Sequence, residues 1–261
     1  MSTEADYVRH DDGVLEIILS TAAKGTSLDF AGVAAGAAAL AELGSDIGAV
    51  LLTGTGPNFC AGGDVRDFAA AQDRSAHLYQ LADTLHVLVR ALDSAPVPVV
   101  AAVHGWAAGA GMSLVCAADI AVGGPGTRMR PAYPGVGLSP DGGMSWTLPR
   151  LVGAAKAREI LLTDAVLDAA EAHRLGILAR LAESDESVRD DARALARTLA
   201  RGPRASYSSI RSLLSRSATA SLSEQLDAER DAMGAAAGSP TGREGVDAFL
   251  AKRAPDYSGL N

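Results

Sequence analysis

Aromatic side chains are scarce in this chain. Phe, Trp and Tyr make up only 4% of its 261 residues, although the hydrophobic share reaches 48%. A core must therefore be built from Ala, Val and Leu, whose small side chains let backbones approach closely. Cysteine is scarcer still. Cys60 and Cys116 are the only two, too few for a disulfide framework or a cysteine-based zinc cluster. Such sparing use points to a reducing cytoplasm, and no metal site is expected. Positive charge is in deficit as well: the formal net charge is −8. This balance argues against nonspecific nucleic-acid binding, yet it leaves room for an anionic ligand held by local Lys or Arg.

Several signatures are also missing. The opening "MSTEADYVRHDDG" is polar and charged, so it does not read as a secretory signal. The uncharged stretch from Ser94 to Ala118 has the length of a membrane span, but Pro96, Pro98 and glycines interrupt it. A buried strand, a glycine turn and a buried helix explain it better. There is no P-loop and no G-x-S-x-G elbow. A dinucleotide fingerprint starting at Gly54 and Gly56 fails, because Phe59 stands where the third glycine belongs.

What is present is an alternation of strands and helices. "VLEIILS" (14–20), "AVLLTGT" (49–55), "VPVVAAV" (97–103) and "DIAVGG" (119–124) read as strands. Between them, 27–46, 66–92 and 110–118 have helical character, the second as one long helix with leucines at helical spacing. This order predicts an α/β fold. From Asp185 onward nearly everything reads as helix. The expected division is an α/β core over 1–195 and a helical tail over 196–261. Separate tail helices need a surface to cover their apolar faces, on the core or on a neighbouring subunit.

Two glycine-rich turns follow buried strands, "FCAGGD" and "HGWAAGAG". Parallel strands of one sheet end on the same side, so both turns can face one pocket. The second opens the helix at 110, where free backbone N–H groups favour negative charge. Two converging amides make an oxyanion hole, each donor contributing on the order of 3 kcal/mol. Taken singly, each turn reads as no more than tight strand–helix packing.

The ordered pair "GTGPNFCAGGDV" and "PVPVVAAVHGWAAGAGMSLVCAADI", followed by "GLSPDGGMSWTLPRLVG" and "EGVDAFLAKRAPDY", resembles the crotonase, or enoyl-CoA hydratase/isomerase, family across nearly the whole chain. The resemblance implies a spiral of ββα units with a C-terminal helical trimerisation region, and assembly as a trimer or a dimer of trimers. It implies an acyl-CoA substrate, with coenzyme A carried as part of that substrate and no separate cofactor. It places the oxyanion hole at the N–H groups of Gly63 and Ala110. It places coenzyme A contacts at Ala23, Lys24, Ala61 and Arg66, and at Lys252, which would reach a neighbour's ligand. Asp64 is expected only to cap the following helix.

The acid–base chemistry departs from the hydratase pattern. The positions of that pattern's two glutamates are Ser113 and Tyr133. A hydroxyl is a very poor base near neutral pH, so hydration by the usual two-carboxylate route is disfavoured. Tyr133 is expected to line the acyl pocket. Asp141, in "GLSPDGG", is the remaining carboxylate, and partial burial would make it a better base. It would then move a proton between two carbons of an enoyl-CoA and shift the double bond. The competing reading makes Asp141 a helix cap. His86 matches a histidine of the family's dehalogenase branch, but a hydrogen-bonded core role suits it better. His104 is assigned a structural role. Enoyl-CoA hydration and a non-catalytic acyl-CoA-binding or assembly role stand as alternatives. Dehalogenation is remote, since that branch's tryptophan is replaced by Tyr133.

Overall fold

The structure, a computed structural model, describes residues 6–260. In chain order these form β1 (Val8–Asp11), β2 (Val14–Ser20), α1 (Phe30–Ala41), β3 (Ala49–Gly54), α2 (Val65–Ala70), α3 (Arg74–Ser94), β4 (Val99–Val103), β5 (Trp106–Ala108), α4 (Ala110–Ala117), β6 (Ile120–Gly123) and β7 (Arg128–Arg130). There follow α5 (Met144–Val152), α6 (Ala154–Thr163), β8 (Leu167–Asp168), α7 (Ala169–Arg174), β9 (Arg180–Leu181), α8 (Val188–Ala200), α9 (Arg204–Ser217), α10 (Leu222–Gly238) and α11 (Pro240–Leu250).

The main sheet has the order β1-β2-β3-β4-β6-β9. Only β1 pairs antiparallel; the remaining neighbours are parallel. Parallel strands with both faces covered read as unbroken apolar runs, and every residue of β3 and β4 is buried. Because side chains alternate across a strand, one run serves two layers. Val50, Leu52, Val99, Ala101 and Val103 face the larger core shared with α1, α3 and α4. Leu51, Val100 and Ala102 face the opposite side, where α8 lays Val188, Ala192 and Ala196 at helical spacing against the sheet. The domain boundary expected at residue 195 therefore falls inside a core helix, whose fully buried Ala196 belongs to that layer.

A second sheet, β5-β7-β8, stands beside the first. Its strands have two or three residues and were not expected; "HGWAAGAG" contains β5 as well as a turn. The other correction concerns 66–92. It is not one helix but two, because Asp73 accepts from Ala76 N–H at 3.0 Å and starts α3 afresh. An Asp side chain at an N-cap competes with continuation of the preceding helix. Asp29 starts α1 in the same way, accepting from Ala31 N–H, so that helix spans 30–41 rather than 27–46.

The tail behaves differently. Helices α9 and α10 contain no buried residue, and Ile210, Leu214, Leu222, Leu226 and Met233 are exposed. Among the described residues, no helix is long and apolar enough to cross a membrane.

Candidate active site

Two chain reversals meet beside the sheets. Cys60 N–H donates to Trp106 O (3.1 Å), and Ala108 N–H donates back to Cys60 O (2.9 Å), so the segment after β3 runs as a brief parallel partner of β5. Gly62 makes this approach possible. Its φ is +89°, and a Cβ there would lie 3.0 Å from the Ala108 carbonyl oxygen, so an L side chain would be both strained and crowded. At Gly63 a Cβ would lie 2.3 Å from the tip of the Phe68 ring, which would have to turn aside. Gly109 precedes α4 with no side-chain cap bond, which leaves the first amides of that helix uncapped. Neither Gly63 N–H nor Ala110 N–H donates to an acceptor among the described residues.

Both residues line one cavity of about 770 Å³, a volume that suits a small-molecule ligand. Its walls are mostly apolar, with Leu28, Phe68, Leu78, Leu81 and Leu85 prominent. Ala61, Tyr133 and Asp141 share the lining. The thiols of Cys60 and Cys116 stay in the core, where burial pushes each up to about 12. No group of three His, Cys, Asp or Glu suited to a metal ion exists among the described residues.

Asp141 is held from several elements. Tyr133 Oη donates to Asp141 Oδ1 at 2.7 Å, and Ser113 Oγ lies 3.1 Å from Tyr133 Oη. Ser113 Oγ also lies 2.9 Å from the Asp141 main-chain oxygen. The next residue, Gly142, donates its N–H to His86 Nε2 at 3.2 Å. That acceptor role requires the proton of a neutral ring to sit on Nδ1. Asp141 Oδ1 thus accepts the hydrogen bond of the Tyr133 hydroxyl, while Oδ2 has no partner among the described residues. Asp141 does not cap α5: Gly143 occupies the N-cap, and the Met144 N–H donates to the main-chain oxygen of Asp141. Burial pushes the Tyr133 phenol far above its usual range, and the adjacent Asp141 charge adds to the shift.

The other expected residues sit elsewhere. Ser113 is fully buried and His86 half-buried, both outside the cavity lining. Ala23 and Lys24 occupy an exposed 3-10 turn. That turn is stitched to the first glycine loop, with Ala61 N–H donating to Thr26 O and Leu28 N–H donating to Gly62 O. Arg66 is exposed and paired with Asp64, which also caps α2. Lys252 is exposed just beyond α11 and is not part of this lining. His104 is buried against Gly56 and Arg189, and desolvation holds its imidazole below the usual range.

One brace escaped the sequence. Asp164 accepts from Ala132 N–H (2.7 Å) and from Arg130 (2.6 Å), fixing Ala132 at φ +62° immediately before Tyr133. The Arg130 guanidinium holds the Asp164 carboxyl below its ordinary value. Thirty-odd residues of intervening chain hide this pairing, and only the fold reveals it.

The enoyl-CoA hydratase/isomerase family model matches residues 9–260. The chain belongs to this family. It is 38% identical over 223 residues to the 1,2-epoxyphenylacetyl-CoA isomerase of Escherichia coli K12, covering 84% of each chain. Over 212 residues it is 31% identical to the trans-2-decenoyl-(acyl-carrier-protein) isomerase of Streptococcus mutans, covering 80% of each. A crystal structure of an enoyl-CoA hydratase from Polaromonas sp. JS666 superposes with a TM-score of 0.89 at 34% identity, over 95% of this chain and 98% of that one. The architecture is accordingly the crotonase fold, and the chain is a crotonase-family enzyme.

Proposed function

We propose that this crotonase-family enzyme shifts a double bond within an enoyl-CoA thioester. The amides of Gly63 and Ala110 receive the thioester oxygen as it gains negative charge, and Asp141 carries the proton. The observation that carries this reading is the presence of one carboxylate, Asp141, in the same cavity as two amides without protein acceptors. Asp141 Oδ2 takes a proton from the α-carbon, and the electron pair moves into a dienolate. The dienolate then takes the proton back at the γ-carbon and the carbonyl re-forms. The relative named as a trans-2-decenoyl isomerase supports the reading.

Hydration is the weaker alternative. The positions that would carry two carboxylates hold Ser113 and Tyr133, whose burial keeps the phenol protonated. A binding or assembly role without turnover is weaker again, because such a protein has no need of a carboxylate beside open amides. Assay of a Δ3-enoyl-CoA with the wild type and Asp141→Asn tests the proposal, with crotonyl-CoA hydration measured in parallel. The expected outcome is isomerisation that Asp141→Asn loses and little hydration. Equal isomerisation by both proteins removes Asp141 from the mechanism.

Coenzyme A would lie across the exposed edge formed by Ala23, Lys24, Ala61 and Arg66; the hydrogen bonds joining the 22–28 turn to the glycine loop support this path. Lys252 would serve a neighbouring subunit's ligand. Assembly as a homotrimer or a dimer of trimers is proposed through the tail, whose exposed Ile210, Leu214, Leu226 and Met233 need cover. Two buried thiols and no disulfide suit a cytoplasmic enzyme.

A further inference from the structure

We infer that Ser113 and Tyr133 form a hydroxyl chain that ties down one oxygen of Asp141, so that the other oxygen keeps the substrate's own proton and returns it to the substrate. The inference rests on the proposed isomerase reading and adds two positioning residues to it.

The geometry is specific. Tyr133 has a single hydroxyl proton, and Asp141 Oδ1 lies 2.7 Å away. A hydrogen bond to a carboxylate is stronger than one to a neutral oxygen, so the phenol donates to Asp141; the single Ser113 proton then goes to Tyr133 Oη at 3.1 Å or to the Asp141 main-chain oxygen at 2.9 Å, and either bond ties Ser113 to the same assembly. Ser113 sits on α4 and is wholly enclosed, while Tyr133 is 8% exposed. A Cβ at Gly142 would lie 2.9 Å from Ser113 Cβ, so the loop carrying Asp141 rests directly on that helix. The carboxylate is therefore anchored through Oδ1 and the backbone behind it, with Oδ2 alone free to meet a substrate.

Consider the state after proton abstraction. The proton resides on Oδ2 and Oδ1 still accepts from Tyr133. Rotation of the carboxyl group would carry the proton away from the dienolate, and it would break that hydrogen bond and aim two protons at one another. The proton is held over the substrate until the γ-carbon takes it. No water takes part in this transfer, and none is consumed; the carbon–hydrogen bond broken at the α-carbon is replaced by one formed at the γ-carbon. Where the hydratase pattern places two carboxylates, this chain places two hydroxyls, and they restrain a carboxylate at a different position, Asp141.

The test is isomerisation of trans-3-hexenoyl-CoA in D2O by the wild type, Tyr133→Phe, Ser113→Ala and Asp141→Asn, with γ-deuterium content read by mass spectrometry at low conversion. The wild type is expected to deliver mostly substrate-derived protium. Tyr133→Phe should at least double deuterium incorporation and lower kcat about tenfold with KM within twofold. Ser113→Ala should change both in the same direction by less. Wild-type isotope content in Tyr133→Phe, with Asp141→Asn inactive, overturns the inference and leaves the isomerase reading standing. Full activity in Asp141→Asn overturns both. Should Tyr133→Phe fail to fold by near-UV circular dichroism, Ser113→Ala carries the test, and an unchanged isotope content there overturns the chain.

Discussion

The two walls of the cavity are built from different materials. One wall is lined by Gly63 and Ala110, whose amides have no acceptor among the described residues, in a backbone path set by Gly62 and Gly109 and by the pairing of the Cys60 segment with β5. The other presents a carboxylate set by side chains: Tyr133, with Ser113 behind it and His86 under the next residue. An amide donor is indifferent to its own side chain but depends on the backbone path. A side-chain anchor can be removed by deleting a single oxygen. The two walls should therefore fail under opposite kinds of substitution.

Asp141→Asn should have the largest effect, a loss of roughly 10²–10⁴ in kcat, the usual range for a positioned acid–base group; steady-state isomerisation kinetics read it. Next comes Ala110→Pro, which removes one N–H. Proline is well tolerated at the first helical position, so α4 should persist by circular dichroism while kcat falls roughly 10²–10³-fold, as for a lost oxyanion donor. Retention of full activity would show that this amide is not a donor to the reaction. Ala110→Ser keeps the N–H and should stay within about threefold, which separates the amide from the side chain. Smallest of all, Cys60 and Cys116 should resist iodoacetamide in the native protein at pH 8, because burial holds both thiols near 12; intact-mass analysis before and after denaturation checks this. Acid should weaken the fold through His104. Its imidazole is held below its ordinary value of about 6.5, so the unfolded chain binds the proton more readily. Stability should fall as pH drops below that value toward the folded-state one, and His104→Gln should flatten the decline in thermal midpoint.

The meeting of the two glycine turns at one cavity was legible in the sequence, and the surroundings of Asp141 only in part. Glycines after apolar strands mark where a backbone must approach something, and β3 and β4 announce themselves as largely apolar runs, with β2 interrupted by Glu16. Asp141 could be singled out as the carboxylate left once Ser113 and Tyr133 were counted. Its bond to Tyr133 could not, because it depends on how a 3-10 turn at Pro134–Val136 folds the two residues together. Strands β5, β7 and β8 escaped for a related reason. Two or three residues carry no periodicity, and these strands exist by virtue of their register with one another. The break at Asp73 went unread, because the leucine spacing begins only at Leu78 and does not say where the helix starts.

The contact between Gly142 and Ser113 also bears on how such an enzyme can change its reaction over evolutionary time. The loop leans on α4 at the very point where a longer side chain would have to grow. A carboxylate introduced at 113 must push the loop outward and drag Asp141 from its seat. Gain of one chemistry is thus coupled to loss of the other, and a lineage passing between them needs compensating replacements in the loop before either activity is recovered.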